Sequence, residues 1–212
     1  MADQGVVQEC WSFADYLSDN LYTWRTKLKG GVQVEDLLRT LFYDSFQSFL
    51  RDEKENILNG TSERHLCQRL SIPLQSKADE AGLLGYFADT EYNRNFDGRV
   101  KTILDERSVV VKITCDLILH SRGVIKKHDN LIAVEMKRRE RPESEKDDDR
   151  ARLRALTKAS YDDVWSADGE TLPEHVCGYD LGYYLELDLK NRCFLLEEYR
   201  AGHLHDSSVL KF

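Results

Sequence analysis

Apolar residues recur at helical spacing in the segment 34–50. They occupy positions 34, 37, 38, 41, 42, 46, 49 and 50. This period of three to four residues predicts a helix with one core-facing side. Asn59-Gly60 then interrupts the chain, and Thr61-Ser62 offers an N-cap for a second helix over 63–70, before Pro73. We therefore expect residues 1–60 to form an N-terminal helical segment.

The pattern changes in the second half of the chain. Residues 109–119 and 131–137 are runs rich in β-branched and apolar side chains, which predicts two strands joined as a hairpin. Residues 141–146 are polar and contain Pro142, which predicts a surface loop, and a helix is expected over 147–158. Alternation over 179–189 and 193–199 predicts two closing strands. This order of elements predicts an α/β (α+β) fold with a mixed sheet flanked by helices.

Composition limits the class of protein. The 212 residues are 41% hydrophobic and carry a formal net charge of −8, which predicts one globular domain spanning 1–212. No apolar run is long enough for a membrane span, and the first residues resemble no secretory leader, so we expect a cytoplasmic protein without a membrane partner. The five cysteines are odd in number and form no C-x-x-C pair, which argues against a disulfide framework or structural zinc.

Charged residues inside the apolar runs are the main indication of chemistry. Glu135 and Lys137 are two apart on one predicted strand, so their side chains share a face. Asp116 lies in the preceding apolar run, and a hairpin would bring all three together. Because burying charges is costly, this placement needs a reason. Two carboxylates can hold Mg²⁺ (or Mn²⁺), and a lysine beside them can stabilise phosphate charge, a combination that suits phosphodiester hydrolysis.

Glu63 is a fourth candidate. It shares the i, i+3, i+4, i+7 stripe of the predicted helix with apolar residues at 66, 67 and 70. From there its carboxylate could support the metal. It could equally be a first-turn acid that favours the helix N-terminus.

Basic residues concentrate around the predicted site. Residues 120–158 carry a net charge of +4, between flanks of −5 (residues 1–119) and −7 (residues 159–212). The basic residues nearest to the hairpin are Arg122, Lys126, Lys127, Arg138 and Arg139. They could bind the phosphates of a nucleic acid, or they could be a solvated basic surface.

The order Asp116 … Glu135-Met136-Lys137 resembles the D…(D/E)-x-K signature of the PD-(D/E)XK nuclease superfamily. Further stretches resemble the leading helix, an "EYNR" motif and the core strands of uncharacterised prokaryotic members: residues 62–70, 91–95, 116–123 and 130–137. The resemblance spans about residues 35–200. Cys115 stands where the family often has proline.

The resemblance implies a restriction-endonuclease-like core over 61–200. It implies metal ligation by Asp116 and Glu135, Lys137 as the catalytic lysine and Glu63 as an accessory acid. Arg94, in the "EYNR"-like stretch, joins the candidate nucleic-acid contacts.

The expected function is therefore a Mg²⁺-dependent, endonuclease-type phosphodiesterase acting on nucleic acid, on DNA rather than RNA. The alternative is a catalytically silent nuclease-fold module that binds or regulates with a partner protein, for example in a restriction or defence system. The sequence leaves open a homodimer or a partner protein.

Overall fold

The computed structural model describes residues 34–92, 102–104, 110–112, 115–125, 128–158 and 178–212. These residues form four helices: α1 (Val34–Asp52), α2 (Lys54–Leu58), α3 (Glu63–Glu80) and α4 (Glu143–Leu156). They also form eight strands: β1 (Phe87–Thr90), β2 (Thr102–Leu104), β3 (Val110–Lys112), β4 (Leu117–His120), β5 (Asn130–Arg138), β6 (Leu181–Asp188), β7 (Cys193–Arg200) and β8 (His203–Lys211). The mixed α/β class expected from the sequence is confirmed.

Six strands form one mixed sheet in the order β1-β4-β5-β6-β7-β8. The β5–β6 pair is parallel and the other neighbours are antiparallel. A parallel pair needs a crossover connection, and α4 lies within it. Strands β2 and β3 pair with each other in a separate two-stranded sheet.

Helices α1 and α3 cover one face of the six-stranded sheet. The apolar stripe predicted for α1 is buried, and the ring of Phe42 stacks on that of Tyr183 with centroids 3.6 Å apart. Helix α3 continues through Pro73 to Glu80, beyond the predicted end. Proline removes one backbone donor from a helix, but the buried stripe of Leu66, Leu70, Leu74 and Ala78 runs through both halves and compensates for that loss.

Helix α4 covers the opposite face. Leu153 and Leu156 in its C-terminal half pack in an apolar cluster with sheet residues that include Ile118 and Tyr184. Gly182 on β6 allows this close approach, because a Cβ atom there would lie 2.9 Å from Thr157 Cγ2. The side chains of α4 before Leu153 are mostly charged, and ion pairs rather than apolar contacts hold this part of the helix on the sheet.

Several boundaries differ from the sequence expectations. The run 109–119 contains two strands in different sheets rather than one. Residues 143–146 belong to α4 rather than to a loop, and Pro142 is the N-cap residue. The sequence analysis predicts neither β1 nor β8, which the structure shows at the two edges of the six-stranded sheet. In the described part of the chain, no helix combines the length and apolarity that a membrane crossing requires.

Candidate functional site

The β4–β5 hairpin brings Asp116 next to Glu135. Asp116 immediately precedes β4, and the register pairs Leu117 with Val134. Its Oδ2 accepts the backbone N–H of Met136 at 2.8 Å, which fixes the carboxylate against β5. Burial raises the pKa of Asp116 above its usual value, against the effect of this hydrogen bond.

Glu135 is the most deeply buried carboxylate of the site. It is 1% exposed, and its Oε1 accepts a hydrogen bond from Arg152 Nε at 2.7 Å. The Cys115 thiol donates to the same oxygen at 3.5 Å. Burial, and then the neighbouring charge of Asp116, raise the pKa of Glu135 to about 8. Two carboxylates therefore lie where both are difficult to ionise without a further cation.

Lys137 projects from β5 on the same face as Glu135, as period-two alternation predicts. Its Nζ lies 3.0 Å from Asp149 Oδ2 on α4. Burial opposes the charged form, but Asp149 and Asp116 outweigh this effect and raise the pKa of Lys137. The amine is therefore a protonated cation near neutral pH.

The sequence analysis missed two members of the site, Asp149 and Arg152. Asp149 forms ion pairs with both Lys137 and Arg152, and Arg152 also pairs with Glu135. The available signal was their i, i+3 spacing on the helix that follows the strand carrying Glu135 and Lys137. Asp149 lies in the helix expected over 147–158, where the run of three aspartates at 147–149 also favours a helix N-terminus.

Glu63 lies at the edge of the same site. It is the first residue of α3, and its Oε1 accepts the backbone N–H of Arg138 at 2.7 Å. Because Arg138 follows Lys137, this bond holds the Glu63 carboxylate beside the lysine. Glu63 is thus both a first-turn acid of α3 and a neighbour of Lys137, and both interpretations of this residue agree with the contact.

Each predicted phosphate-binding arginine that the structure describes already has an intramolecular partner. Arg122 makes two 2.7 Å hydrogen bonds to Asp89, Arg139 binds Asp188, and Arg138 donates to the carbonyls of residues 60 and 61. Arg122 and Arg139 remain partly exposed. Arg94, Lys126 and Lys127 lie outside the described residues.

A second set of ion pairs continues along α4. Lys146 Nζ lies 3.3 Å from Glu186 Oε2, and Arg150 Nε lies 3.0 Å from Glu197 Oε2. The Arg150 guanidinium also stands 4.5 Å from the centre of the Tyr184 ring. Charged contacts thus hold the part of α4 that precedes Leu153, and this part supplies Asp149 and Arg152.

Comparisons with known protein families, with curated proteins and with solved structures each find no match to this chain. Within the described ranges, no group of three or more His, Cys, Asp or Glu side chains is arranged to hold a metal ion. The six charged residues at the site, which we call the site cluster, are Glu63, Asp116, Glu135, Lys137, Asp149 and Arg152. Four carboxylates and two cations give this cluster a formal net charge of −2.

Proposed function

We propose that this protein is a Mg²⁺-dependent nuclease that hydrolyses phosphodiester bonds of nucleic acid, with DNA as its substrate. The observation that carries the proposal is that the half-buried Asp116 carboxylate is held against β5 next to buried Glu135, on the strand that also carries Lys137. Clustered groups with perturbed pKa values are enriched at functional sites, where burial and neighbouring charges set the protonation state that the chemistry needs.

The residues present fit a divalent cation of the magnesium type. Mg²⁺ is commonly held by only one or two protein carboxylates, and substrate phosphates and water complete its shell. Asp116 and Glu135 would be those ligands, and a dedicated set of three protein ligands is not required.

In the proposed reaction, a water attacks the scissile phosphorus in line and the bond from phosphorus to the 3′ or 5′ oxygen breaks. One proton of the water passes through solvent to the leaving oxygen, so the products are a phosphomonoester and an alcohol. When bound, the ion would supply Lewis-acid polarisation of a phosphoryl oxygen. Lys137 is a cation at the edge of the carboxylate pair, so it can stabilise charge that develops on the phosphate. Glu63 lies beside Lys137 and can help to orient the attacking water.

The first test is calorimetric titration with Mn²⁺ of the parent and of Asp116→Asn. We expect binding by the parent and at least tenfold weaker binding by the variant, because one of the two anionic ligands is lost. Lys137→Ala should then abolish Mg²⁺-dependent cleavage of DNA while the protein stays folded. Lys211→Ala, on the exposed strand β8, is the matched control and should cleave like the parent. Cleavage by the Lys137 variant at the parent rate would contradict the proposal.

One observation favours the second candidate, a catalytically silent nuclease-fold module that works through a partner protein. Glu135 and Lys137 already have counter-charges from α4, so the site cluster is partly neutralised without any ion. This candidate predicts no Mn²⁺ binding by the parent and no cleavage of DNA or RNA. The same titration therefore separates the two functions.

A further inference from the structure

We infer that Arg152 is a positioning residue of the proposed metal site, which holds the Glu135 carboxylate in place for the cation. The inference rests on the proposed function and extends it to α4. It assigns a role to a residue that lies outside the predicted strands and outside the D…(D/E)-x-K residues.

The geometry that carries the inference is a bridge between two carboxylates. Arg152 Nε donates to Glu135 Oε1 at 2.7 Å, and its terminal NH2 group binds Asp149. Asp149 in turn lies 3.0 Å from Lys137. One guanidinium therefore links the candidate metal ligand on β5 to the anchor of the candidate catalytic lysine. Arginine can do this because its planar group presents donors in two directions, whereas the single nitrogen of lysine is a point charge.

The fold does not need Arg152 in order to place α4 on the sheet. Leu153 and Leu156 anchor the C-terminal half of α4 in an apolar cluster, and Gly182 lets the helix approach closely. Lys146 and Arg150 hold the part of α4 before Leu153 through Glu186 and Glu197. Arg152 instead contacts only site residues among its ion pairs in the described part of the chain.

Metal ligands in proteins are oriented by hydrogen bonds from residues behind them, and loss of such a partner weakens metal binding about 10–100-fold. Arg152 occupies that place behind Glu135. A change that keeps the positive charge but removes the two-way contact should therefore weaken cation binding. A neutral substitution of Arg152 would have two opposing effects on Mn²⁺ affinity. It would remove the contact to Glu135, and it would also remove a positive charge that repels the bound cation.

The experiment uses the full chain and Mn²⁺ alone, measured by calorimetry on the parent, Arg152→Lys and Arg150→Lys. Arg150 is the matched control, because it lies on the same helix, is similarly buried and pairs with Glu197 rather than with Glu135. We expect about tenfold weaker Mn²⁺ binding in Arg152→Lys and parent affinity in Arg150→Lys. Urea unfolding of both variants shows that they are folded.

A second variant, Asp149→Glu, keeps every charge and moves the Arg152 anchor by one methylene. Asp149→Glu should also weaken Mn²⁺ binding, and it replaces Arg152→Lys as the test if that variant does not fold. Parent affinity in both Arg152→Lys and Asp149→Glu would overturn the inference and leave the metal site intact. An equal loss in Arg150→Lys would also overturn it, since the effect would then be general to α4. No Mn²⁺ binding by the parent removes the proposed function and this inference together.

Discussion

Asp149 Oδ2 on α4 lies 3.0 Å from Lys137 Nζ on β5, and the same aspartate pairs with Arg152 one helical turn later. A single carboxylate therefore separates two cations in the interior of the protein. Glu135 on β5 is the second partner of Arg152. Basic and acidic side chains thus alternate along Lys137, Asp149, Arg152 and Glu135, so that each one has a hydrogen-bond partner of the opposite type.

Asp149→Ala should destabilise the fold strongly, because it leaves Lys137 and Arg152 facing each other without their shared carboxylate. Removing one partner from a buried ion pair costs about 3–5 kcal/mol, and the partial exposure of both cations (16% and 22%) reduces this to about 2–4 kcal/mol. Urea unfolding at pH 7 measures the loss. Asp147→Ala on the exposed side of α4 should cost less than about 0.5 kcal/mol. Equal losses in the two variants would show that Asp149 contributes no more to stability than an exposed aspartate of the same helix.

Glu135 should make stability fall as pH rises. In the native state the pKa of Glu135 is raised to about 8, whereas the pKa of a glutamate in the unfolded chain is about 4.3. Between these values the native state binds the extra proton, so this residue lowers the free energy of unfolding with increasing pH, by at most about 1.4 kcal/mol per unit.

Glu135→Gln removes that titration. In the presence of a chelator, its stability relative to the parent should increase from pH 5 to 8 and then level off. Parallel curves for Glu135→Gln and the parent would contradict the raised pKa.

The sequence predicted the elements whose side chains follow the period of their backbone. Helix α1 and strand β5 were found because one face, or a continuous run, is apolar. The prediction of one strand over 109–119 was wrong, because a segment rich in apolar and β-branched residues does not reveal that the chain leaves one sheet and enters another. The sequence did not predict β8, because its residues are mostly exposed and polar. It is a strand because it pairs with β7, and its own composition does not indicate one.

The candidate site was predictable to the extent that charges interrupt apolar strands. Asp116, Glu135 and Lys137 stood out for that reason, and the structure brings them to one hairpin. Asp149 and Arg152 could not be distinguished in the same way. Nearly every residue of α4 before Leu153 is charged or polar, and the sequence does not tell which of them turn toward the sheet.

Two buried tyrosines should respond in opposite ways to loss of their hydroxyl groups. The Tyr184 hydroxyl is buried without a hydrogen-bond partner in the part of the chain that the structure describes. Tyr184→Phe should therefore leave the free energy of unfolding unchanged or raise it by up to about 1 kcal/mol. The Tyr199 hydroxyl donates to Glu197 Oε2 at 2.8 Å, so Tyr199→Phe should cost about 1–2 kcal/mol. Urea unfolding compares the two, and an equal loss in both would show that Tyr184 has a partner.

Gly182→Ala should disturb the site from a distance, because Gly182 sets how closely α4 approaches the sheet. The added Cβ would lie 2.9 Å from Thr157 Cγ2 and 3.3 Å from Leu153 Cδ2, at the C-terminal end of α4. Overpacking of this kind costs about 1–3 kcal/mol, and a shift of the helix would move Asp149 and Arg152 away from β5. We expect lower stability in urea and, in the folded protein, weaker Mn²⁺ binding.

Thr157→Ser is the compensating change, because serine lacks Cγ2 but keeps the hydroxyl that donates to Leu153 O at 2.9 Å. The double variant Gly182→Ala/Thr157→Ser should therefore recover at least half of the lost stability, although the 3.3 Å contact with Leu153 persists. Thr157→Ser alone gives the baseline. If the double variant is as unstable as Gly182→Ala, contact with Thr157 does not limit the approach of α4. If Gly182→Ala matches the parent in both stability and Mn²⁺ affinity, the position of α4 does not depend on this glycine.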